Sequence, residues 1–238
     1  MPEQEPQRLS KLVAALVPCS RREAEQYIAE GWVRVDGRVV DEPQFRVGNE
    51  RVEVDLRAKL QPPLSATFLL HKPAGATPAA AQELLGASSR WAGDTTGIRR
   101  VKSHGVGLAD LLPLPAPAEG LCVFSQDRAV VRKLREEAHL VEQELVAEVS
   151  GTVAPGGLER LGRGLLHQGR ALPAARVSWQ SEGRLRIAAK GLPLDLVPWM
   201  CAQVGLELVA LKRIRIGRVP MAGLPRGQWR YLAPGERF

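Results

Sequence analysis

Apolar residues recur at helical spacing at Leu9, Leu12, Val13 and Leu16, which predicts a short amphipathic helix that Pro18 stops. Ser20 opens a Ser-Arg-Arg-Glu run, a capping-box pattern in which the serine oxygen and Glu23 satisfy free amides at the start of a second helix. Ala24, Tyr27 and Ile28 give that helix its apolar side, and Gly31 ends it. The period then changes to two. Val33 and Val35 alternate with Arg34 and Asp36, Asp36-Gly37 is a hairpin turn into Val39, and Val52, Val54 and Leu56 read as a closing strand. Gln61-Pro62-Pro63 breaks the pattern. The chain therefore divides into a small domain over 1–60, a linker over 61–65 and a larger domain over 66–238.

In the larger domain, Thr67 to Leu70 reads as a buried strand ending at His71-Lys72-Pro73. Residues 74–97 lack periodicity and read as a loop with at most a short helix near Gln82–Leu85. Leu112 to Ala118 carries alternate prolines, which remove amide donors and forbid regular helix or central strand. Strands are expected at Gly120–Ser125, Glu144–Ser150, Arg184–Ala189 and Leu208–Gly217, and helices at Arg128–Ala138, Leu158–Leu165 and Pro198–Val204. Alternation along Leu208–Gly217 puts Arg213 and Arg215 on one face. The fold class is α+β, a small α+β domain joined to a larger one.

Charge narrows the function. The 238 residues carry 33 Lys+Arg against 26 Asp+Glu, a net +7, which admits a nucleic-acid partner without requiring one. Residues 1–60 hold ten cations against eleven acids, so phosphate binding there depends on placement rather than sum. Cys19, Cys122 and Cys201 are widely separated and form neither a disulfide framework nor a metal pair, and the four histidines show no metal spacing. That cysteine usage points to a reducing, cytoplasmic setting, while the lack of a membrane-length apolar run and the acidic start count against a membrane or secreted protein; a monomer without metal or cofactor is expected.

Several blocks resemble a known family. Arg8-Leu9-Ser10-Lys11, Cys19 to Ala24 and Gly31 to Gly37 closely resemble the RNA-binding domain first known from ribosomal protein S-four. Phe68 to Gly75 resembles the NKPxG strand that opens the catalytic domain of bacterial ribosomal-RNA pseudouridine synthases of the small-subunit uridine type. Glu119-Gly120-Leu121, Glu144 to Gly151, Leu211 to Gly217 and Leu224 to Leu232 resemble later blocks of that family, in order. The resemblance implies a mixed, mostly antiparallel sheet and a cleft for a flipped-out uridine. It also implies metal-free chemistry in which an aspartate, kept ionised by a nearby cation, cleaves the glycosidic bond.

The active-site positions depart from that pattern. Aligned back from Glu119-Gly120-Leu121, the family's GRLDxxTxGL aspartate falls on Pro115 and its arginine on Pro113; alternatively, Asp110-Leu111-Leu112-Pro113 matches a block upstream and the catalytic loop is deleted. The family's stacking tyrosine maps onto Leu145, and its pairing arginine maps near Val197. The resemblance thus implies a degenerate member, a pseudoenzyme that binds structured RNA, either ribosomal RNA or a ribosomal precursor. Candidate RNA-binding residues are Arg8, Lys11, Arg21, Arg22, Arg34, Arg38, Lys72, Arg213 and Arg215. Arg21 and Arg22 stand at the positive end of a helix dipole, a poor place for helix stability and a good one to meet phosphate. Two alternatives stay open: an active synthase with a relocated aspartate (Asp94 or Asp110), and a protein-interaction scaffold on the old cleft.

Overall fold

The computed structural model describes residues 5–58 and 65–238; the proline linker lies outside the described residues except for Ser65. The chain forms two compact units, one of residues 1–65 with 99–107 and one of 66–98 with 108–238. Segment 99–107 thus packs with the first unit, although its sequence position places it within 66–238. Three contacts explain this. The Arg99 guanidinium lies 4.6 Å over the Trp32 ring and donates to the Gly31 carbonyl, and Lys102 pairs with Asp41 at 2.7 Å.

The first unit contains β1 (Gln7–Arg8), α1 (Leu9–Leu16), α2 (Arg21–Ala29), β2 (Val33–Val35), β3 (Arg38–Val39), β4 (Arg46–Val47) and β5 (Val52–Val54). The capping box is present: Ser20 accepts from the Glu23 amide, and the Glu23 carboxylate accepts from the Ser20 amide at 2.7 Å. Asp36 and Gly37 have φ of 47° and 76°, the left-handed pair that a two-residue hairpin between β2 and β3 requires. Leu9, Val13, Ala24, Ile28, Val33, Val35 and Val47 form the core.

The second unit contains β6 (Thr67–Lys72), α3 (Pro78–Glu83), β7 (Ala109–Leu111), β8 (Glu119–Ser125), α4 (Arg128–Arg135), β9 (Glu142–Gly151) and α5 (Gly157–Arg163). It continues with β10 (Leu166–His167), β11 (Arg170–Ala171), β12 (Ala175–Ser181), β13 (Arg184–Lys190), α6 (Val197–Ala202), β14 (Leu206–Ile216), β15 (Val219–Pro220) and β16 (Trp229–Tyr231). Nine strands make one sheet in the order β12-β13-β9-β14-β8-β6-β16, with β15 on β14 and β7 on β8. Every pairing is antiparallel except β14 with β8. At that parallel junction Gly120 has φ +126°, and a Cβ there would lie 2.2 Å from the Arg213 carbonyl oxygen, so only glycine fits.

Most expected elements form, with two informative differences. The helix expected near Gln82–Leu85 begins earlier, where Thr77 caps Pro78–Glu83. The alternation along β14 is broken: register shifts between Arg213 and Arg215. Arg213 bonds Gln143, whereas Arg215 bonds Glu142 and Glu144, and these neighbours on β9 point to opposite sides. The bulge therefore sends the two arginines to opposite faces of the sheet, not to one.

Candidate functional site

Leu112 to Ala118 folds as the loop its prolines demand, entering it through Leu112 at φ +52°, an uncommon left-handed conformation for a non-glycine residue. The loop forms one wall of a cleft of about 400 Å³ lined by Leu112, Pro113, Leu114, Pro115, Gln143, Leu192, Leu194, Asp195 and Arg213. That volume lies within the range of small-molecule pockets. Pro113 and Pro115 face the cleft themselves, and among the described residues no aromatic ring belongs to its lining. Leu145 is 1% exposed and Val197 is fully buried; both belong to the hydrophobic core.

Arg213 is the cation of the cleft lining. It is fully buried, donates through Nε to the Leu121 carbonyl at 2.8 Å and through Nη1 to Gln143 at 2.7 Å, and leaves Nη2 without a hydrogen-bond acceptor. Among the described residues no carboxylate lies within ion-pair distance of it. Burial lowers its pKa. Asp110, on β7 just before the loop, does not line the cleft; its Oδ1 is buried without a partner. Burial raises the Asp110 pKa, and the Arg213 charge opposes that rise. Asp195, exposed, is the carboxylate in the lining. The sequence does not show its place in the cleft, which depends on how the loop after β13 folds.

Asp94 is committed elsewhere. Its side chain is 1% exposed, pairs with Arg90 at 2.8 Å and accepts from the amides of Thr96 at 3.0 Å and Tyr231 at 3.3 Å. Although burial raises its pKa, hydrogen bonds from Thr96, Tyr231 and Arg90 prevail and hold it below the usual range. It is an anchor of the loop 90–96 onto β16, with no oxygen turned to the cleft lining. Lys72 is likewise internal. It is 1% exposed and donates to the carbonyls of Pro73, Ala76 and Ala116 at 3.1, 2.8 and 3.1 Å, tying the proline loop to the turn after β6. Its ammonium is thereby turned to backbone carbonyls within the unit.

The candidate cations of the first unit are all exposed, Arg8, Lys11, Arg21, Arg22, Arg34 and Arg38, whereas Arg215 of the second unit is half-buried. Arg21 forms an i,i+4 pair with Glu25 at 3.2 Å, and Arg34 donates to the Gly37 carbonyl. Arg46, absent from the sequence candidates, stands directly opposite Arg8 in the β1–β4 ladder. Like charges placed directly opposite one another are unfavourable, and Arg46 donates to the Pro6 carbonyl at 3.0 Å. The short β1–β4 pairing left no periodicity by which the sequence could show this. Among the described residues no cluster of His, Cys, Asp and Glu could hold a metal ion, and no helix is long and apolar enough to cross a membrane.

Comparison with known proteins places these features. The S4 domain family matches residues 7–52. The chain is 28% identical to Ribosomal large subunit pseudouridine synthase B of Bacillus subtilis (strain 168), covering 97% of this chain and 93% of that protein. It is 26% identical to the Dual-specificity RNA pseudouridine synthase RluF of Escherichia coli (strain K12), covering 96% of this chain and 76% of that protein. A solved structure, "Crystal structure of pseudouridylate synthase", shares the fold with a TM-score of 0.59 at 18% identity, covering 95% of this chain and 96% of that one. The chain thus joins an S4 domain to a pseudouridine-synthase fold and is homologous, along nearly all its length, to the bacterial ribosomal-RNA pseudouridine synthases.

Proposed function

We propose that this protein binds structured ribosomal RNA, or a ribosomal precursor, without isomerising uridine. It acts in the cytoplasm as a monomer, and needs no cofactor. One observation carries the reading: Pro113 and Pro115 form the cleft wall, and fully buried Arg213 has no carboxylate at ion-pair distance among the described residues. Glycosidic cleavage needs an ionised carboxylate held beside the flipped base, and proline offers no ionisable group. Leu145, buried in the core, also leaves no ring at that place on which a base could stack. The first unit keeps its exposed cations, including Arg21 and Arg22 at the start of α2.

The binding half of the proposal is tested by titrating a fluorescein-labelled ribosomal-RNA domain transcript at several salt concentrations. Reversing Arg21 and Arg22 to glutamate is expected to weaken binding and to lower the log–log salt slope by about 0.9 for each phosphate no longer neutralised. A curve unmoved in both respects would remove the first unit from the interface.

A second reading, an active synthase, rests on Asp110 and Asp195. Asp110 has a buried, unpartnered oxygen within the electrostatic reach of Arg213, and Asp195 lines the cleft. Pseudouridine formation by the purified protein that disappears in Asp110→Asn or Asp195→Asn would establish it.

A further inference from the structure

The face of the large sheet away from the cleft has its own chemistry. The register of β13 with β9 places Arg184 opposite Glu148, Ala188 opposite Glu144 and Lys190 opposite Glu142. On the far side of β13, β12 places Arg176 opposite Ala188 and Ser178 opposite Arg186. Residues directly opposite one another share a face, so these side chains form one array on the side away from Gln143 and the core residue Leu145. The bulge in β14 adds Arg215 to the array.

The array is built and basic. Arg215 bridges Glu142 and Glu144 at 2.6 and 2.7 Å, Arg186 donates to Glu144, and Arg176 reaches Glu142 at 2.7 Å. The two glutamates act as fixed posts that orient three guanidinium forks. Arg176 and Arg186 nevertheless keep 77% and 56% of their side chains exposed, so much of each donor edge faces water. Five cations (Arg176, Arg184, Arg186, Lys190 and Arg215) stand among three carboxylates, leaving an excess of positive charge. Two shallow depressions meet at Arg215: one of about 270 Å³ under Arg176 and Arg186, and one of about 390 Å³ reached by Lys133, Lys190 and Arg218.

We propose that this sheet face is a second RNA-contacting surface, binding the phosphate backbone of a structured RNA on the side of the second unit opposite the cleft. Planar, preoriented arginine forks match phosphate oxygens in pairs. The depression beneath Arg176 and Arg186 offers only Ala188 as an apolar side chain, whereas a protein interface ordinarily buries larger apolar anchors at its centre; the second depression adds Leu140, Val141 and Phe238, but sets four cations (Lys133, Lys190, Arg215 and Arg218) against Glu142. The contact is to shape and charge, not to base edges.

The test uses the full chain and a fluorescein-labelled ribosomal-RNA domain transcript. Arg176→Glu with Arg186→Glu is expected to weaken binding about tenfold or more near physiological salt and to lower the log–log salt slope by about 2. Arg176→Lys with Arg186→Lys keeps the charge and should restore most of the slope while giving up part of the affinity. The glutamate pair takes two cations from Glu142 and Glu144 and is expected to melt lower than the parent, whereas the lysine pair should melt near it; circular dichroism fixes a titration temperature below the transition of the less stable variant. An RNA titration curve unchanged by the glutamate pair overturns the proposal and leaves an acidic protein as the occupant of the face. This result is distinct from failure of the first-unit contact, because Arg21→Glu with Arg22→Glu is measured alongside. If that pair weakens binding and the sheet pair does not, only the second surface is refuted.

Discussion

Lys72 separates a structural from an RNA-facing role more cleanly than any other candidate. Replacing it with methionine keeps most of the aliphatic stem and deletes the ammonium. Its three carbonyl partners then lose a charged donor, but the Ala116 carbonyl still accepts from the Gly75 amide at 2.7 Å. The Pro73 carbonyl likewise still accepts from the Ala76 amide at 3.4 Å, so the partly buried Ala76 carbonyl is the one left without a donor. An orphaned carbonyl costs about 1–3 kcal/mol, and the removal of a buried charge returns part of that, so a net loss of about 2 kcal/mol is expected. For a unit of this size that corresponds to a melting temperature lower by about 4–8 °C. The pH profile gives a second signature. Burial lowers the Lys72 pKa below the usual 10.5, so the unfolded chain binds more protons just below that value. The parent therefore gains stability as pH rises from the folded-state pKa towards 10.5, and the variant lacks that gain. Melting curves across that range and RNA titrations check both points. A variant with parental melting behaviour and a salt slope lower by about 0.9 would show Lys72 contacting phosphate and refute the clamp.

Three further outcomes follow from the same geometry. Gly120→Ala places a Cβ against the Arg213 carbonyl at a φ only glycine adopts, so a loss above about 4 kcal/mol or failure to fold is expected in denaturant titration. Asp94→Ala should cost about 3 kcal/mol by stranding partly buried Arg90, yet leave RNA affinity unchanged; a stable variant with altered RNA chemistry would return Asp94 to the site. The Arg215 hydrogen bond lowers the Glu142 pKa, and bonds from Arg186 and Arg215 lower that of Glu144 despite its burial. Stability from these groups is present above the usual 4.5 and is lost as pH falls through their folded-state values. Glu142→Gln with Glu144→Gln should therefore flatten the acid limb of the melting profile, and an unchanged limb would contradict the pairing.

The sequence exposed what local chemistry determines. The capping box at Ser20, the Asp36-Gly37 turn and the proline-broken loop before Glu119 each follow from neighbouring residues, and each forms. Features that depend on distant partners were hidden. The bulge that separates Arg213 from Arg215 arises where β14 leaves register with β9, so simple alternation put both arginines on one face. Edge strand β12 shows little apolar alternation because only its inward residues meet the core, and β7 and β16 are too short to carry a period. Burial of Lys72 likewise depends in part on a carbonyl 44 residues away. At the cleft, the departures at Pro115 and Leu145 were legible, but the approach of Asp195 to the lining was not, since it requires the loop after β13 to fold back beside Arg213.

Tritium release from 5-tritiated uridine in a ribosomal-RNA transcript probes the central claim most directly, with the parent protein, Asp110→Asn and Asp195→Asn assayed side by side. The account predicts the same background signal from all three, together with salt-dependent RNA binding by each. Stoichiometric release by the parent that either substitution abolishes, with folding and RNA affinity intact, would contradict it.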